Sequence, residues 1–208
     1  MKPNDLSGDQ ISYLKALRRQ TGGGRLDPES CLLSTYRTGG DPEQARVVDR
    51  VAHYADHLEQ NVNGGRSLLF FGRPGTGKDH LAIALARAVI LRMGLSATWV
   101  SMCEMKADIR NSIHRGQTEV PDRLLRCGFL VLSDPVALGG HLTDFQAEVL
   151  HRIVDYRWRT NSPTVVTCNC RSLGECAELM GSQVVDRLVG DGEALEFSWT
   201  SFRGQYQE

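Results

Sequence analysis

The run Gly72-Arg73-Pro74-Gly75-Thr76-Gly77-Lys78-Asp79-His80 places its glycines and lysine at the spacing of a phosphate-binding loop. In such a loop the glycines let backbone N–H groups close around a polyphosphate, and the lysine reaches its terminal oxygens. Asp79 stands where the G-x-x-x-x-G-K-[ST] pattern asks for Ser or Thr, whose hydroxyl ordinarily meets magnesium. Nucleotide binding by residues 72–80 is therefore expected, and hydrolysis is the open question.

A phosphate loop needs an acid at the end of a neighbouring strand. The run Phe129-Leu130-Val131-Leu132 leads into Ser133-Asp134, where two acids would be the usual ending. The hydroxyl missing from position 79 and the acid missing from position 133 read as an exchange. On that reading Asp79 binds magnesium directly, Ser133 supports it through a water or hydrogen bond, Asp134 is the remaining strand acid, and the site still takes Mg2+–ATP. The alternative is independent decay into a nucleotide-binding relic.

These residues need a scaffold that brings strand ends together. Ser67–Phe71 is a short buried-strand run, and Leu81–Leu91 is apolar almost all round, as in a helix packed under a sheet. Further strands are expected at Ala97–Ser101, Gly128–Ser133, Thr164–Cys168 and Ala194–Ser198, alternating with helical runs. The fold class is α/β, a P-loop NTPase with a parallel sheet of about five strands flanked by helices. Gly94 reads as a helix C-cap, and Thr143-x-x-Gln146 and Ser172-x-x-Glu175 as capping boxes.

Both Asp27-Pro28-Glu29 and Asp41-Pro42-Glu43 read as helix starts. The second launches one helix through Val48, Val51, Ala52, Ala55 and Leu58 to about Asn61–Gly65. Residues 10–20 predict a basic amphipathic helix, with Ile11, Leu14 and Leu17 on one side, ending in a flexible Gly22-Gly23-Gly24 joint. Residues 1–40 thus read as an N-terminal extension, either a frayed terminus or a partner-docking arm, ahead of an ATP-binding domain over 41–208.

The chain has 208 residues, with 24 Lys plus Arg against 25 Asp plus Glu. That size fits one domain, and the near-neutral charge argues against binding nucleic acid by bulk charge. None of the six cysteines makes a C-x-x-C pair. Cys168 and Cys170 are read as pointing to opposite faces of a strand end, and no zinc site is expected. With no apolar leader and no run of about 18 apolar residues, a reduced, cytoplasmic protein is expected.

The chain resembles the AAA+ ATPases of the DnaC/DnaI helicase-loader and IstB transposition-helper group, from about Val48 to Arg203. The resemblance rests on Gly75-Thr76-Gly77-Lys78 with His80-Leu81-Ala82, on Phe129–Asp134, on Leu142 through Arg157 to Asn169, on Val185-Asp186-Arg187-Leu188, and on Ser201-Phe202-Arg203. It implies that Asn169 senses the terminal phosphate and orients the attacking water together with Asp134. It implies that Arg187 reaches into a neighbouring subunit's site and that Arg203 contacts nucleotide within its own. The alternatives are a turn-former at Asn169, a solvated helix cation at Arg187 and a tail cation at Arg203. The chain ends soon after Arg203, so a helical lid is not expected.

An arginine supplied in trans implies a head-to-tail homo-oligomer when ATP is bound. Implied partners are a hexameric replicative helicase, engaged through the N-terminal region, or a transposase with its target DNA. Single-stranded DNA would need a local basic patch. One cluster is Lys106, Arg110, Arg115, Arg123 and Arg126, interleaved with Glu104, Asp108, Glu119 and Asp122; the other is Arg152, Arg157 and Arg159 around Asp155. A solvated helix surface explains either equally well, while Trp99 and the other aromatics read as core.

The resulting reading is an ATP-dependent helicase loader or similar DNA-remodelling helper that assembles on single-stranded DNA, with slow hydrolysis. The competing readings are an IstB-like transposition helper and a nucleotide-gated interaction module without turnover. Against a small-molecule kinase the chain shows no phosphate-acceptor site or arginine-rich lid, and against GTP specificity it has no [NT]-K-x-D motif.

Overall fold

The computed structural model describes residues 6–107, 120–136 and 140–203. Five short strands, β1 (Leu68–Gly72), β2 (Ala97–Ser101), β3 (Phe129–Ser133), β4 (Thr164–Cys168) and β5 (Glu193–Phe197), form one sheet in the order β2-β3-β4-β1-β5. Every pairing is parallel. Parallel strands must be covered on both faces, which is why these segments read as unbroken apolar runs. Along β3, Phe129 and Val131 join one core with Leu81 and Leu85, while Leu130 and Leu132 join a second with Leu150 and Ile153.

The first core lies under α1 (Gly8–Gln20), α2 (Pro42–Asp56), α3 (Leu58–Asn63) and α4 (Lys78–Met93). The second is closed by α5 (Asp122–Arg126), α6 (Asp144–Arg159), α7 (Leu173–Met180) and α8 (Ser182–Val189). Gly94 ends α4 in the left-handed region with φ 67°. Thr143 and Gln146 cap α6 reciprocally, and Ser172 accepts from Glu175 N–H at the start of α7. Among the described residues no helix is long and apolar enough to cross a membrane.

Three expectations change. The segment read as an extension is seated on the core: Leu17 is fully buried, and Gln10 Nε2 donates to Ile90 O and Leu91 O at 3.1 and 3.0 Å. Gln20 Oε1 accepts from Trp99 N–H at 3.0 Å, satisfying a donor on β2, an edge strand. Asp27-Pro28-Glu29 starts no helix. Asp27 Oδ1 accepts from Glu29 N–H at 3.0 Å in a single turn, after which the buried Cys31 pulls the chain inward. The helix after Pro42 breaks at His57 into α2 and α3, and Asn61 Nδ2 donates to the Tyr54 carbonyl beside the break at 3.0 Å.

Candidate nucleotide-binding site

The strand order puts the carboxyl end of β1 beside that of β4, and the chain leaves β1 through the loop that opens α4. Such a crevice, at a switch in strand order, is where ligands bind in open α/β sheets. Gly72 has φ 130°, and a Cβ there would run into the backbone of Phe197 on β5, so the strand can end this way only with glycine. At Gly77, φ 87°, a Cβ would lie 2.5 Å from the Tyr36 ring.

Lys78 is buried, and its Nζ donates to Gly72 O at 3.0 Å, Arg73 O at 2.7 Å and Asn169 Oδ1 at 2.9 Å. Asn169 Nδ2 in turn donates to Asp134 Oδ1 at 2.8 Å. The amide therefore bridges the loop lysine and the strand acid, each end meeting a group of the right polarity. Desolvation by burial lowers the Lys78 pKa, with Asp134 opposing the shift. Asp134, in the left-handed region at φ 44°, has its carboxyl pushed up to about 6, first by burial and then by the charge of Asp79.

Asp79 opens α4, and its Oδ1 accepts from Thr167 Oγ1 at 2.9 Å. Ser133, read as the partner of Asp79, instead stands beside Thr167 in the β3–β4 register, buried and away from the lining of the cleft. The hydroxyl that meets the loop acid comes from β4. Lys78, Asp79, Asp134, Asn169 and Arg203 all face one open cleft of about 1250 Å³.

Pro74, Gly75, Gly77 and His80 also line that cleft, whereas Thr76 is turned away and fully buried, its Oγ1 donating to Arg73 O at 2.7 Å. His80 is tied to the N-terminal segment, its Nε2 lying 2.8 Å from Leu32 O and its ring edge-on to Tyr36. Tyr36 was not anticipated. Its hydroxyl donates to Thr76 O at 2.6 Å, Trp199 Nε1 donates to the same oxygen at 3.2 Å, and its ring meets Phe202 edge-on. Arg25, Tyr36 and Arg37 form a wall of the cleft, so residues 25–37 belong to the site.

Arg187 does not reach the cleft of its own chain. Its guanidinium pairs with Asp155 at 2.9 Å and lies over the Trp158 ring at 5.6 Å, with His151 Nε2 at 3.3 Å. Trp158 is 46% exposed, against the expectation that the aromatics are core, whereas Trp99 is buried as expected.

Of the basic clusters, Arg110 and Arg115 lie outside the described residues, as do Asp108 and Glu119. Arg126 is paired with Asp122, and Arg159 with Asp155. Arg157 is fully buried and cannot touch DNA. It donates to Thr164 Oγ1 and to the carbonyls of Leu125, Cys127 and Pro163 at 2.7–3.0 Å, joining α6 to the turns before β3 and β4. The reading of Cys168 and Cys170 is also corrected: residues two apart on a strand share a face. Their sulfurs gather with that of Cys176 beneath the second sheet face.

A family model described as IstB-like ATP binding protein matches residues 25–208. The replicative helicase loader DnaC of Escherichia coli K12 is 25% identical over 180 residues, covering 85% of this chain and 71% of the relative. A crystal structure of the DnaC helicase loader superposes with a TM-score of 0.72 at 24% identity, over 81% of this chain and 97% of that one. The replication initiator DnaA, bound to AMPPCP and single-stranded DNA, gives 0.66 at 16% identity over 85% of this chain and 52% of that one. The fold is thus that of the AAA+ P-loop NTPases.

Proposed function

The chain belongs to the IstB-like ATP-binding protein family, and from that premise we propose that it binds Mg2+–ATP in the cleft and acts as a helicase loader, gripping and releasing its partner according to the nucleotide held. The observation that carries this reading is the Lys78–Asn169–Asp134 chain of hydrogen bonds across the crevice. It presents a cation, a neutral sensor and an acid in a row, the sequence of groups that a terminal phosphate and its attacking water require.

Lys78 meets the terminal phosphate oxygens by releasing one of its present acceptors. Asn169 reports their arrival because its Oδ1 is bonded to that same ammonium. Asp134, ionised above about pH 6, accepts the proton of the water that Asn169 orients. Arg203 places a second cation in the cleft from the same chain. Arg187 serves the cleft of the next protomer in a head-to-tail assembly, leaving Asp155 to do so.

Two carboxylates facing one crevice, the pKa of Asp134 raised first by burial and then by the charge of Asp79, fit a divalent cation. Asp79 and Asp134 would hold magnesium, with Ser133 behind them in the sheet beside Thr167. The ion supplies charge neutralisation of the phosphates when bound.

The helicase assignment draws on the relative that is a replicative helicase loader. Contact with single-stranded DNA draws on the exposed Arg152 and Arg159 and on the DnaA neighbour, which binds it. Co-purification with a hexameric helicase, together with ATPase assays with and without single-stranded DNA in wild type and Lys78→Ala, tests the whole. A transposase in place of the helicase would assign the transposition-helper role. The specific observation favouring a module without turnover is Asp79 itself, fixed to Thr167 where a loop hydroxyl is usual. Tight ATP binding with no phosphate release, with or without DNA, would select it.

A further inference from the structure

On the face of the sheet opposite α4, beneath the turn that follows Asn169, the sulfurs of Cys168, Cys170 and Cys176 all lie within 4.8 Å of one another. All three residues are buried, and Cys168 Sγ is 3.4 Å from Cys176 Sγ. We infer that Cys168, Cys170 and Cys176 are a binding site for one thiophilic divalent d10 cation, of the Zn2+ and Cd2+ class, held by three thiolates.

Position is the first support. Cys168 and Cys170 share a side of the strand end, and Cys176 comes from the first turn of α7, which Ser172 caps through Glu175 N–H. Glu175 Oε2 accepts from Arg171 N–H, so the five residues between the second and third thiols are pinned at both ends. The thiols are presented together by hydrogen-bonded backbone, not by a pliable loop. Metal–sulfur bonds of about 2.3 Å set three sulfurs around one ion about 4 Å apart, which the cluster satisfies with small side-chain shifts. Arg171 and Ser172 above the thiols are exposed, giving a cation its route in.

Charge chooses the class of ion. Three thiolates around a divalent cation leave a buried charge of −1, whereas around a monovalent cation they would leave −2. Soft sulfur donors with no carboxylate among them exclude Mg2+ and Ca2+.

The test is a titration of the reduced, full-length protein with Cd2+ under argon. One ion per chain is expected, with a thiolate-to-cadmium charge-transfer band. Cys170→Ala and Cys176→Ala should each lose the band and bind at least about a hundredfold more weakly, whereas the exposed Cys103→Ser should be unchanged. X-ray absorption on the loaded wild type counts the sulfur ligands without relying on any variant's folding, and three are expected. No band at equimolar Cd2+, a band that survives Cys176→Ala in a folded protein, fewer than three sulfur ligands, or preference for Cu+ over both Zn2+ and Cd2+ would each overturn the assignment.

Discussion

Thr167 Oγ1 donates to Asp79 Oδ1 across 2.9 Å, so the acid in the phosphate loop is held by the strand next to the loop's own, not by Ser133 one strand further out. Thr167→Val should weaken magnesium-dependent ATP binding about ten- to a hundredfold, the worth of one hydrogen bond to a charged group. Ser133→Ala should change it less. Titration with a fluorescent ATP analogue, with and without chelator, checks both. Equal losses in the two variants would restore Ser133 as the partner.

Asp134 gives the second prediction its sign. Its carboxyl pKa is raised from 3.8 to about 6, so the folded state binds this proton more tightly than the unfolded chain does. The stability linked to it is fully present below about pH 4 and is lost as pH rises through 6. Asp134→Asn should therefore raise the stability of the nucleotide-free protein at pH 7.5 by about 1 kcal/mol, allowing for partial exposure, and add almost nothing at pH 4. Urea denaturation at the two pH values measures the difference, and ATPase activity should disappear in the same variant.

Arg187 pairs with Asp155 and does not line its own cleft. Arg187→Ala should leave ATP affinity within about twofold and lower ATPase at high protein concentration about a hundredfold. Lys78→Ala chains keep their arginine, so mixing the two inactive variants should recover part of the activity. Failure of the mixture would remove the trans role.

Arg157 serves four acceptors within 3.0 Å with one planar guanidinium in full burial. Arg157→Lys should cost about 3 kcal/mol in urea denaturation, because one ammonium cannot reach all four and leaves buried carbonyls unpaired.

What was legible in the chain was what repeats locally. The strand runs, the apolar helix after Lys78 and the caps at Thr143 and Ser172 announce themselves through period and end chemistry, and they stand within a residue or so of their expected places. Asp134 was legible because it ends an apolar run, and Asn169 only through the family resemblance. The parts that escaped depend on pairs far apart in sequence. Thr167 looks like one more strand residue until the register sets it against Asp79, and Tyr36 belongs to no motif until the turn at Asp27 folds back over the loop. Arg157 misled because charge alone suggests a surface, whereas its acceptors come from turns before two different strands.

Tyr36 and Trp199 both donate to Thr76 O, one from each end of the chain. The polypeptide thus closes on itself at a single carbonyl of the phosphate loop, like a belt fastened at its buckle. A ligand that orders the phosphate loop at Thr76, two residues before Lys78, therefore also orders the segment before α2 and the one after β5.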